Sequence, residues 1–537
     1  MKGEITKRNR RRVWLVLAVV IIFMSALAVR VYSIQVIQGP MYAAMARSQQ
    51  RIALSGVDKR GEICDRNGEP LTGSMLEYVY ILRSNRMTGG AETLLKRLEA
   101  RERRTSNEKY RIFSSVEYDK EAAEKLRREY GAYIMQTPQR YQKDQPAIYL
   151  LGYVRDSDGV GIAGLERVFD EELSRREQVM YGVADAANQI VPGYGIQNSR
   201  ERDVRLYTTL EKPLQEQLEE IVNGVDEGRA CAIITDVESG DVLASATAPG
   251  FDPFVVEELL ESQEEELFDI ALQGQYPPGS VFKIVVAAAV LEQGVYDVED
   301  TFLCSGAAVL GDVVVGCTAE DGHGELNMKE AFAKSCNCAF IQMGQTIGAD
   351  AILDMAQKFG FGREVFIDLD MDRPGNLPSK EDSAGPGIAN LSIGQGTLLV
   401  TPIQVAQMTQ IVAAGGLDTG LWLADRLEDG DSVRELQRQI PRRILSEGTA
   451  AELLEMMRST VKYGTARGLS DWDCAGKTGS AEGYLDGETA VHSWFTGVVP
   501  SETPRFTITV FVEGGGTGGT VAVPVFEQIL EILESGS

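Results

Sequence analysis

The chain has 537 residues, of which 44% are hydrophobic and 25% are charged, a composition typical of globular proteins. Its length exceeds what one hydrophobic core organises, so we expect two or three folded units. Because 79 Asp and Glu residues outnumber 53 Lys and Arg residues, the net charge is −26. So acidic a protein is not expected to bind nucleic acid non-specifically or to lie flat on anionic lipid.

The N-terminus combines a basic segment with an apolar one. Residues 1–12 carry six basic side chains and one acidic side chain, and residues 13–29 carry no charge. A helix over this apolar run is roughly 26 Å long, near the lower limit for a bilayer span. We predict a cytoplasmic tip at 1–12, a single-pass cell-membrane anchor at 13–32 and an extracytoplasmic remainder. A cleaved signal peptide is the alternative, because Ala26-Leu27-Ala28 resembles an A-x-A cleavage site.

Two folded units are expected after the anchor. In the first, residues 91–130 are dense in Glu, Lys and Arg with spaced Leu, which predicts solvated amphipathic helices. Residues 182–200 are rich in Gly, Asn and Gln, which is typical of a linker. We therefore predict an N-terminal pedestal domain at 33–203 and a second domain at 204–537.

The second domain has strand-like segments at both ends of a helical middle. Two apolar runs at 230–235 and 242–246 flank a Ser-Gly turn, which predicts a hairpin. Two more strand-like runs, 494–499 and 506–512, lie near the C-terminus, and the Ala-rich run 283–291 predicts a buried helix. This order favours an α+β fold over alternating βαβ units.

Three short motifs in this domain together supply the groups for serine acyl transfer. Ser280 and Lys283 form an S-x-x-K motif, Ser335 and Asn337 form an S-x-N motif, and Lys477-Thr478-Gly479 is a K-T-G motif. A Pro-Pro-Gly turn precedes Ser280, which places it at a helix N-terminus. One helical turn separates it from Lys283, so we expect the lysine amine to reach the serine hydroxyl. A serine hydroxyl becomes a nucleophile only when such a base takes its proton.

The remaining motif residues have predicted parts in the same reaction. Lys283 must be neutral to accept a proton, and burial together with the nearby cation Lys477 would lower its pKa. Ser335 can relay the proton to a leaving amine. Asn337 can accept a hydrogen bond from the lysine and donate one to a substrate carbonyl.

A second group of residues is expected to hold the substrate. The hydroxyls of Thr478 and Ser480, with the charge of Lys477, suit a terminal carboxylate. The backbone N–H groups of Ser280 and Ser480 would bind the oxyanion.

Isolated S-x-x-K motifs carry little information, and the chain contains two others. Residues 106–109 lie in a charged surface stretch. Residues 459–462 lie late in an amphipathic helix, on a face expected to be solvated.

Further segments, in the same order along the chain, resemble motifs of class B penicillin-binding proteins, the monofunctional transpeptidases of bacterial cell walls. They are Arg60-Gly61 with Asp65-Arg66-Asn67-Gly68, Gly164-Leu165-Glu166, Ser392-Ile393-Gly394-Gln395-Gly396 with Thr401-Pro402, and Trp494-Phe495-Thr496-Gly497. The resemblance covers the chain from about residue 40 to the C-terminus. It leaves open whether the protein serves elongation, division or sporulation.

The resemblance implies an α+β transpeptidase domain with a five-stranded antiparallel sheet flanked by helices, behind an elongated pedestal. It implies that Ser280 attacks the penultimate D-alanine of a peptidoglycan stem peptide and that a neighbouring amine resolves the acyl-enzyme. β-Lactams are expected to acylate the same serine, and Gly394, Gln395 and Gly396 to line the site. A multi-spanning glycosyltransferase is the expected membrane partner, and acyl transfer requires no cofactor.

A possible metal site surrounds the S-x-N motif. Cys304, Cys317, His323 and Cys336 are 13, 6 and 13 residues apart. Three thiolates and an imidazole make a closed tetrahedral zinc set. Similarity to clostridial-type class B members implies a structural zinc that fixes the motif from behind. A Cys304–Cys317 disulfide and simple packing of the thiols remain the alternatives.

Two other functions compete with the transpeptidase. A D,D-carboxypeptidase or β-lactamase would use water as acceptor, but no Glu-bearing loop stands out as a deacylation base. A non-catalytic scaffold or β-lactam sensor would lack a catalytic residue or need a cytoplasmic effector. No motif residue is missing, and twelve residues are too few for an effector.

Overall fold

The computed structural model describes residues 7–535 except 40, 43–50, 54–59, 74, 104–107, 156–158, 175–179, 184–195, 199–203, 227, 263–264, 367–368 and 486. Most of the predicted linker, half of the basic tip and Ser106 of the first additional S-x-x-K motif lie outside the described residues.

The helices are distributed over the whole described chain. They are α1 (Lys7–Tyr32), α2 (Gly89–Arg97), α3 (Lys120–Tyr130), α4 (Ile148–Leu151), α5 (Gly164–Val168), α6 (Asp170–Ser174), α7 (Lys212–Asn223), α8 (Val256–Ser262), α9 (Lys283–Gln293), α10 (Met328–Ala333), α11 (Asn337–Ile347), α12 (Ala349–Phe359), α13 (Gly387–Ser392), α14 (Pro402–Ala413), α15 (Glu447–Lys462) and α16 (Ala522–Ser535).

The strands form several sheets. They are β1 (Arg51–Ala53), β2 (Glu62–Cys64), β3 (Met75–Arg83), β4 (Arg101–Arg103), β5 (Tyr110–Ser115), β6 (Tyr133–Gln139), β7 (Met180–Val183), β8 (Ile196–Asn198), β9 (Val204–Thr208), β10 (Ala230–Asp236), β11 (Val242–Ala248), β12 (Thr301–Cys304), β13 (Ala307–Leu310), β14 (Val313–Gly316), β15 (Gly324–Asn327), β16 (Leu417–Asp418), β17 (Ala424–Asp429), β18 (Ser432–Glu435), β19 (Arg442–Arg443), β20 (Ala475–Leu485), β21 (Glu488–Val499) and β22 (Phe506–Val512).

A five-stranded antiparallel sheet organises the second domain, as the sequence predicted. Its strand order is β11-β10-β22-β21-β20, so segments from the start and the end of the domain pair directly. Helices α7 and α16 pack their apolar faces on one side of the sheet, through residues such as Leu218 and Phe526. Helix α9 lies in the larger core on the other side. The fold is therefore α+β, with β20 at an open edge of the sheet.

Helix α9 begins at the lysine of the S-x-x-K motif and is deeply buried. Every side chain from Lys283 to Val290 is buried. Seven of these eight side chains are apolar Ile, Val or Ala, for which burial is favourable. The eighth is the lysine at the first position, a residue type that is rarely buried. A helix this apolar holds the motif at a fixed place in the core.

A mixed sheet runs across the predicted domain boundary at residue 203. Strand β2 pairs in parallel with β9, which pairs with β17 in the order β18-β17-β9-β2. Ile63 on β2 belongs to the same hydrophobic cluster as helix α9. The division at 203–204 stays a prediction, and strand β2 of the predicted pedestal packs as part of the second domain's core.

The prediction of helices throughout residues 91–130 is only partly right. Helices α2 and α3 lie at its two ends, but strands β4 and β5 lie between them. Strand β5 is buried at four of its six positions and half-buried at the other two, and it pairs with β3 in a sheet of order β4-β5-β3-β6. Its aromatic and β-branched residues favour a strand despite the charged surroundings.

A buried ionic cluster joins the two N-terminal family motifs. The Glu166 carboxylate is completely buried and accepts hydrogen bonds from Arg60 Nε at 2.6 Å, Arg140 Nε at 2.6 Å and Tyr141 OH at 2.9 Å. Arg60 also donates to Asp170 at 2.8 Å. Loss of the Glu166 carboxylate would be strongly destabilising, because the partly buried cations Arg60 and Arg140 would lose the anion that they share.

The N-terminal helix has the length and composition of a membrane span. Within the described chain, residues 10–37 form the one helical segment that is long and apolar enough to cross a bilayer. Its side chains are exposed along the apolar stretch, as expected of a helix that packs against lipid rather than protein.

Candidate active site

Ser280 lies in a single 3₁₀ turn, Gly279–Phe282, directly before helix α9. Gly279 has a φ of 55°, and its N–H donates to Gly394 O at 2.8 Å. A Cβ at Gly279 would lie 2.7 Å from Ser480 O, so only glycine allows this close approach to β20. The serine is therefore held between the Gly394 loop and the edge strand. Its half-buried hydroxyl makes no hydrogen bond to the described residues.

Lys283 is fully buried and its amine points to the S-x-N motif. Nζ donates to Ser335 O at 2.8 Å, to Ser335 Oγ at 3.1 Å and to Asn337 Oδ1 at 2.8 Å. The expected contact with the Ser280 hydroxyl is not among its hydrogen bonds. The lysine amine is thus oriented by Asn337 on α11 and by Ser335 in the preceding turn, although Lys283 lies one helical turn from Ser280 in the chain.

Ser335 is the point where all three motifs meet. Its hydroxyl lies 3.1 Å from Lys283 Nζ and 3.1 Å from Lys477 Nζ. Its backbone has a φ of 56°, a left-handed conformation that costs a non-glycine residue about 1–2 kcal/mol. The surrounding packing must maintain this conformation, because the residue is 4% exposed and lies between two helices.

Burial lowers the basicity of both lysines inside the core. Burial lowers the pKa of Lys283 to about 8, against the opposing effect of nearby cysteine thiols. Burial, together with the charge of Lys283, holds the pKa of Lys477 well below its usual range. Phe340 and Phe332 lie 5.5 and 5.6 Å from the respective amines and help exclude water. A neutral amine is thereby available near physiological pH.

Strand β20 presents the K-T-G motif at the sheet edge next to Ser280. A Cβ at Gly479 would lie 2.9 Å from Trp494 Cβ and 3.1 Å from Pro278 O, so the glycine lets the strand lie against the serine turn. Trp494 Nε1 donates to Pro277 O at 3.1 Å. The strand edge and the nucleophile turn are therefore locked together.

A search of known families finds the "Penicillin binding protein transpeptidase domain" over residues 230–531, more than half of the chain. The chain belongs to the class B penicillin-binding proteins. "Stage V sporulation protein D" of Bacillus subtilis is 26% identical over 97% of this chain and 85% of its own length. "Peptidoglycan D,D-transpeptidase PbpA" of Mycolicibacterium smegmatis is 29% identical over 71% of this chain and 81% of its own.

Solved structures share the fold of this penicillin-binding protein. The crystal structure of penicillin-binding protein 3 of Mycobacterium tuberculosis with aztreonam has a TM-score of 0.65 and 23% identity, and covers 89% of this chain and 96% of that one. A chain of a peptidoglycan synthase complex has a TM-score of 0.69 and 24% identity over 97% of both chains. At these identities the likeness establishes the architecture.

The G-Q-G segment of this penicillin-binding protein lies against the turn that carries Ser280. Gly394 has a φ of 73°, and a Cβ there would lie 2.1 Å from Gly279 O. Gln395 N donates to Asn390 O at 2.8 Å, and Gly396 follows with a φ of 82°. The segment is therefore a tight turn of backbone against the serine turn, as its two glycines require.

The cysteines and the histidine predicted as a metal set come together. Cys304 Sγ and Cys317 Sγ each lie 3.5 Å from His323 Nδ1, and Cys317 Sγ lies 3.8 Å from Cys336 Sγ. Tetrahedral zinc with bonds of about 2.3 Å to sulfur and about 2.0 Å to nitrogen separates its ligands by about 3.8 Å and 3.5 Å. All seven cysteines of the chain are free thiols. The donor atoms and their spacing thus fit a tetrahedral zinc site.

The cluster of three cysteines and His323 is linked directly to the S-x-N motif. Cys336 lies between Ser335 and Asn337, and the Asn337 side-chain amide donates to Gly316 O, next to Cys317, at 2.9 Å. The cluster and the β13–β14 hairpin therefore touch the S-x-N motif from behind.

The second additional S-x-x-K motif has a different environment from the one predicted. Ser459 is 2% exposed, and its hydroxyl donates to Glu455 O at 3.0 Å inside α15. The prediction of a solvated face is wrong for this serine, because α15 packs it into the core. His492, the remaining histidine, is buried beside Tyr276 with its ring centroid 5.2 Å away.

Two contacts at the K-T-G strand were not predicted from the sequence. Thr465 Oγ1 lies 2.5 Å from Thr478 Oγ1, and Gly518 N donates to Ser480 Oγ at 3.1 Å. Neither Thr465 nor Gly518 belongs to a motif recognised in the sequence. The sequence offers only a weak hint of these contacts, since small residues flank both positions, in Gly464-Thr465-Ala466 and Thr517-Gly518-Gly519.

Proposed function

We propose that the protein is a membrane-anchored peptidoglycan D,D-transpeptidase that cross-links stem peptides through an acyl-enzyme on Ser280. The family match supports the class of reaction. The observation that carries the residue assignment is the Ser335 hydroxyl, 3.1 Å from each of two buried lysine amines, beside the Ser280 turn. β-Lactams would acylate the same serine.

In the acylation step the Ser280 oxygen attacks the carbonyl carbon of the penultimate D-alanine. The hydroxyl proton passes to the neutral amine of Lys283. Ser335 gives its own proton to the leaving nitrogen and takes one back from the protonated Lys283, 3.1 Å away, so that both groups end as they began. The bond between the two D-alanines breaks and the terminal D-alanine leaves. The backbone N–H groups of Ser280 and Ser480 would stabilise the oxyanion.

In the second step an amine of a neighbouring stem peptide attacks the acyl-enzyme and releases Ser280 with its proton restored. Thr478, Gly479 and Ser480 on the β20 edge would hold the donor peptide, with Gly394, Gln395 and Gly396 behind the nucleophile. Hydrolysis by water would make the protein a carboxypeptidase or β-lactamase. Incubation with a stem-peptide donor and a D-amino acid acceptor separates the two outcomes by mass spectrometry, and we expect the exchange product to dominate.

Membrane attachment and a partner are further parts of the proposal. Residues 10–37 would anchor the chain, with the catalytic domain outside the cytoplasm. The similarity to a chain of a peptidoglycan synthase complex supports a membrane glycosyltransferase as partner. The anchor and the N-terminal pedestal would supply the contact.

We also infer that Cys304, Cys317, His323 and Cys336 hold a structural zinc. Their ligand atoms all lie within 4.8 Å of one another. When bound, the metal would cross-link the β13–β14 region to the S-x-N motif. It takes no part in acyl transfer, which the serine and lysine groups perform.

Labelling with a fluorescent penicillin tests the choice of nucleophile. The wild-type chain should become covalently labelled, and Ser280→Ala should abolish the labelling because no other hydroxyl occupies this turn. Ser459→Ala and Ser106→Ala, in the other two S-x-x-K motifs, serve as matched controls and should keep it. Persistent labelling of Ser280→Ala would show that another serine is acylated.

A further inference from the structure

We propose that Thr465 is a positioning residue for the donor carboxylate, acting through the hydroxyl of Thr478. The inference rests on the proposed transpeptidase function, in which Thr478 and Ser480 bind the terminal carboxylate of the donor peptide. Thr465 lies outside the motifs recognised in the sequence. The inference also explains why the Thr478 hydroxyl donates to the substrate carboxylate rather than to Thr465.

Thr465 lies next to the buried hydroxyl of the K-T-G motif. Its Oγ1 is 2.5 Å from Thr478 Oγ1. Thr478 is 6% exposed, whereas Thr465 is exposed to solvent. The hydroxyl of Thr478 therefore has a protein partner on one side, and its remaining hydrogen-bonding capacity is free for a ligand.

The loop after α15 holds Thr465 by its backbone. Thr465 N donates to Ala333 O at 3.1 Å, two residues before Ser335. A Cβ at Gly464 would lie 2.2 Å from the same oxygen, so glycine is required for the loop to approach α10. The contact thus ties the carboxylate-binding strand to the segment that carries the S-x-N motif.

The charge of the ligand decides the direction of the Thr465–Thr478 hydrogen bond. A hydroxyl has one proton and two lone pairs. If Thr478 donated to Thr465, its lone pairs would face the substrate and repel a carboxylate. If Thr465 donates to Thr478, the Thr478 proton is free for the carboxylate, and the two bonds polarise each other favourably.

Ser480 has the same arrangement through a different donor. Gly518 N donates to Ser480 Oγ at 3.1 Å, so the Ser480 proton is also free for a ligand. A Cβ at Gly518 would lie 2.4 Å from Trp494 O and 2.5 Å from Gly479 O, which restricts this position to glycine. Both hydroxyls on the strand edge thus accept a bond from the protein and present a proton outward, as an anion requires.

Acylation by a penicillin and by its methyl ester tests the proposal, because the ester lacks the anion. In the full-length chain, Thr465→Val should lower the second-order acylation rate constant for benzylpenicillin about tenfold, the effect of losing one hydrogen bond to a charged group. The constant for the methyl ester should change less than about twofold, since no carboxylate selects the hydroxyl direction. Thr465→Ser, which keeps the hydroxyl, should restore the wild-type ratio of acid to ester.

A double variant tests whether Thr465 acts through Thr478. In a Thr478→Val background, adding Thr465→Val should cause no further loss with benzylpenicillin, because the intermediary hydroxyl is already gone. Thr489→Val is the matched control, since Thr489 is an exposed threonine on β21 paired with Tyr484. Its acid-to-ester ratio should equal that of the wild type.

The outcomes separate this inference from the proposed function. An equal loss for acid and ester in Thr465→Val, or no loss for the acid, would overturn the role of Thr465 while the wild type is still acylated. Failure of the wild type to react with benzylpenicillin would instead contradict the proposed function. If Thr465→Val does not fold, Thr465→Ala and Thr465→Ser give the same comparison. The proposal is then overturned if both variants keep the wild-type ratio of acid to ester acylation rate constants.

Discussion

The chemistry of this site depends on a few side chains kept in states that water would not allow. Lys283 and Lys477 are both completely buried, and Ser335 lies between their amines in a left-handed backbone conformation. Two ammonium ions this close and this dry repel each other, so the loss of one proton is favoured. The site thereby obtains a base from a residue that is ordinarily an acid at neutral pH.

This arrangement predicts a pH dependence for acylation. Because burial lowers the pKa of Lys283 to about 8, the neutral fraction grows as pH rises from 6 to 9. The acylation rate constant for a fluorescent penicillin should therefore rise over this range, reach half of its maximum near pH 8 and level off above about pH 9. Lys283→Arg, whose guanidinium stays charged, should lose at least about 10²-fold in rate at every pH.

The exposed Lys462, in the third S-x-x-K motif, provides the control. Lys462→Arg should leave both the rate and the pH profile unchanged. A flat wild-type profile between pH 6 and 9 would rule out Lys283 as a base that titrates in this range.

Residue types in fixed motifs were predictable, but the contacts that orient them were not. The sequence placed Ser280, Lys283 and Lys477 in one site, and the structure brings their segments together. The sequence predicted that Asn337 accepts a hydrogen bond from Lys283, which the structure contains at 2.8 Å, but not that the lysine amine also donates to Ser335 O at 2.8 Å. The left-handed backbone of Ser335, whose carbonyl oxygen accepts this bond, is not indicated by the residue type at this position.

Among the elements, the β13–β14 hairpin has the most direct influence on the site. Its last residue, Gly316, accepts the Asn337 side-chain amide at 2.9 Å, and Cys317 follows immediately. The other amide atom of Asn337 accepts from Lys283 at 2.8 Å. Displacement of the hairpin would therefore turn the asparagine and disturb the lysine.

The zinc inference makes this link measurable. The wild-type chain should contain about one equivalent of zinc by elemental analysis. Cys317→Ser should lose the metal and slow acylation about 10- to 100-fold, because the support of the S-x-N motif is weakened. Cys474→Ser, a buried cysteine in the separate core behind the sheet, should keep both. Less than about a tenth of an equivalent in the wild type would contradict the site.

Elements with strong apolar periodicity were predictable, and those fixed by partners were not. The hairpin of β10 and β11 and the buried helix α9 follow from sequence runs. Strand β5 was missed, since its pairing with β3 outweighs the helical tendency of its charged neighbours. Burial of Ser459 was also missed, because the packing of α15 depends on distant segments.

For the whole molecule, the main feature is that the N-terminal region is built into the catalytic fold. Strand β2 joins the sheet of β9, β17 and β18, and its Ile63 belongs to the same core as helix α9. A second connection lies behind the main sheet, where Glu219 on α7 accepts a hydrogen bond from Ala147 N at 2.7 Å. Separation in sequence therefore does not mean mechanical independence.

The Glu219 connection predicts a specific pH dependence of stability. Burial raises the pKa of Glu219 to about 7, above the value of about 4.5 expected in the unfolded chain. A raised folded pKa gives stability that is fully present below pH 4.5 and is lost as pH rises through 7. Glu219→Gln keeps the acceptor oxygen for Ala147 N but cannot ionise. Relative to the wild type, it should gain on the order of 2 kcal/mol between pH 5 and pH 8.

Thermal unfolding of both proteins at the two pH values measures this difference. Comparing variant with wild type cancels the titration of the other buried carboxyls, such as Asp269 and Asp372, since both proteins contain them. Glu220→Gln, at an exposed position on the same helix, should show no pH-dependent gain. If the free energies of unfolding of Glu219→Gln and the wild type differ by the same amount at pH 5 and pH 8, the prediction is contradicted. Burial would then not raise the pKa of the Glu219 carboxyl.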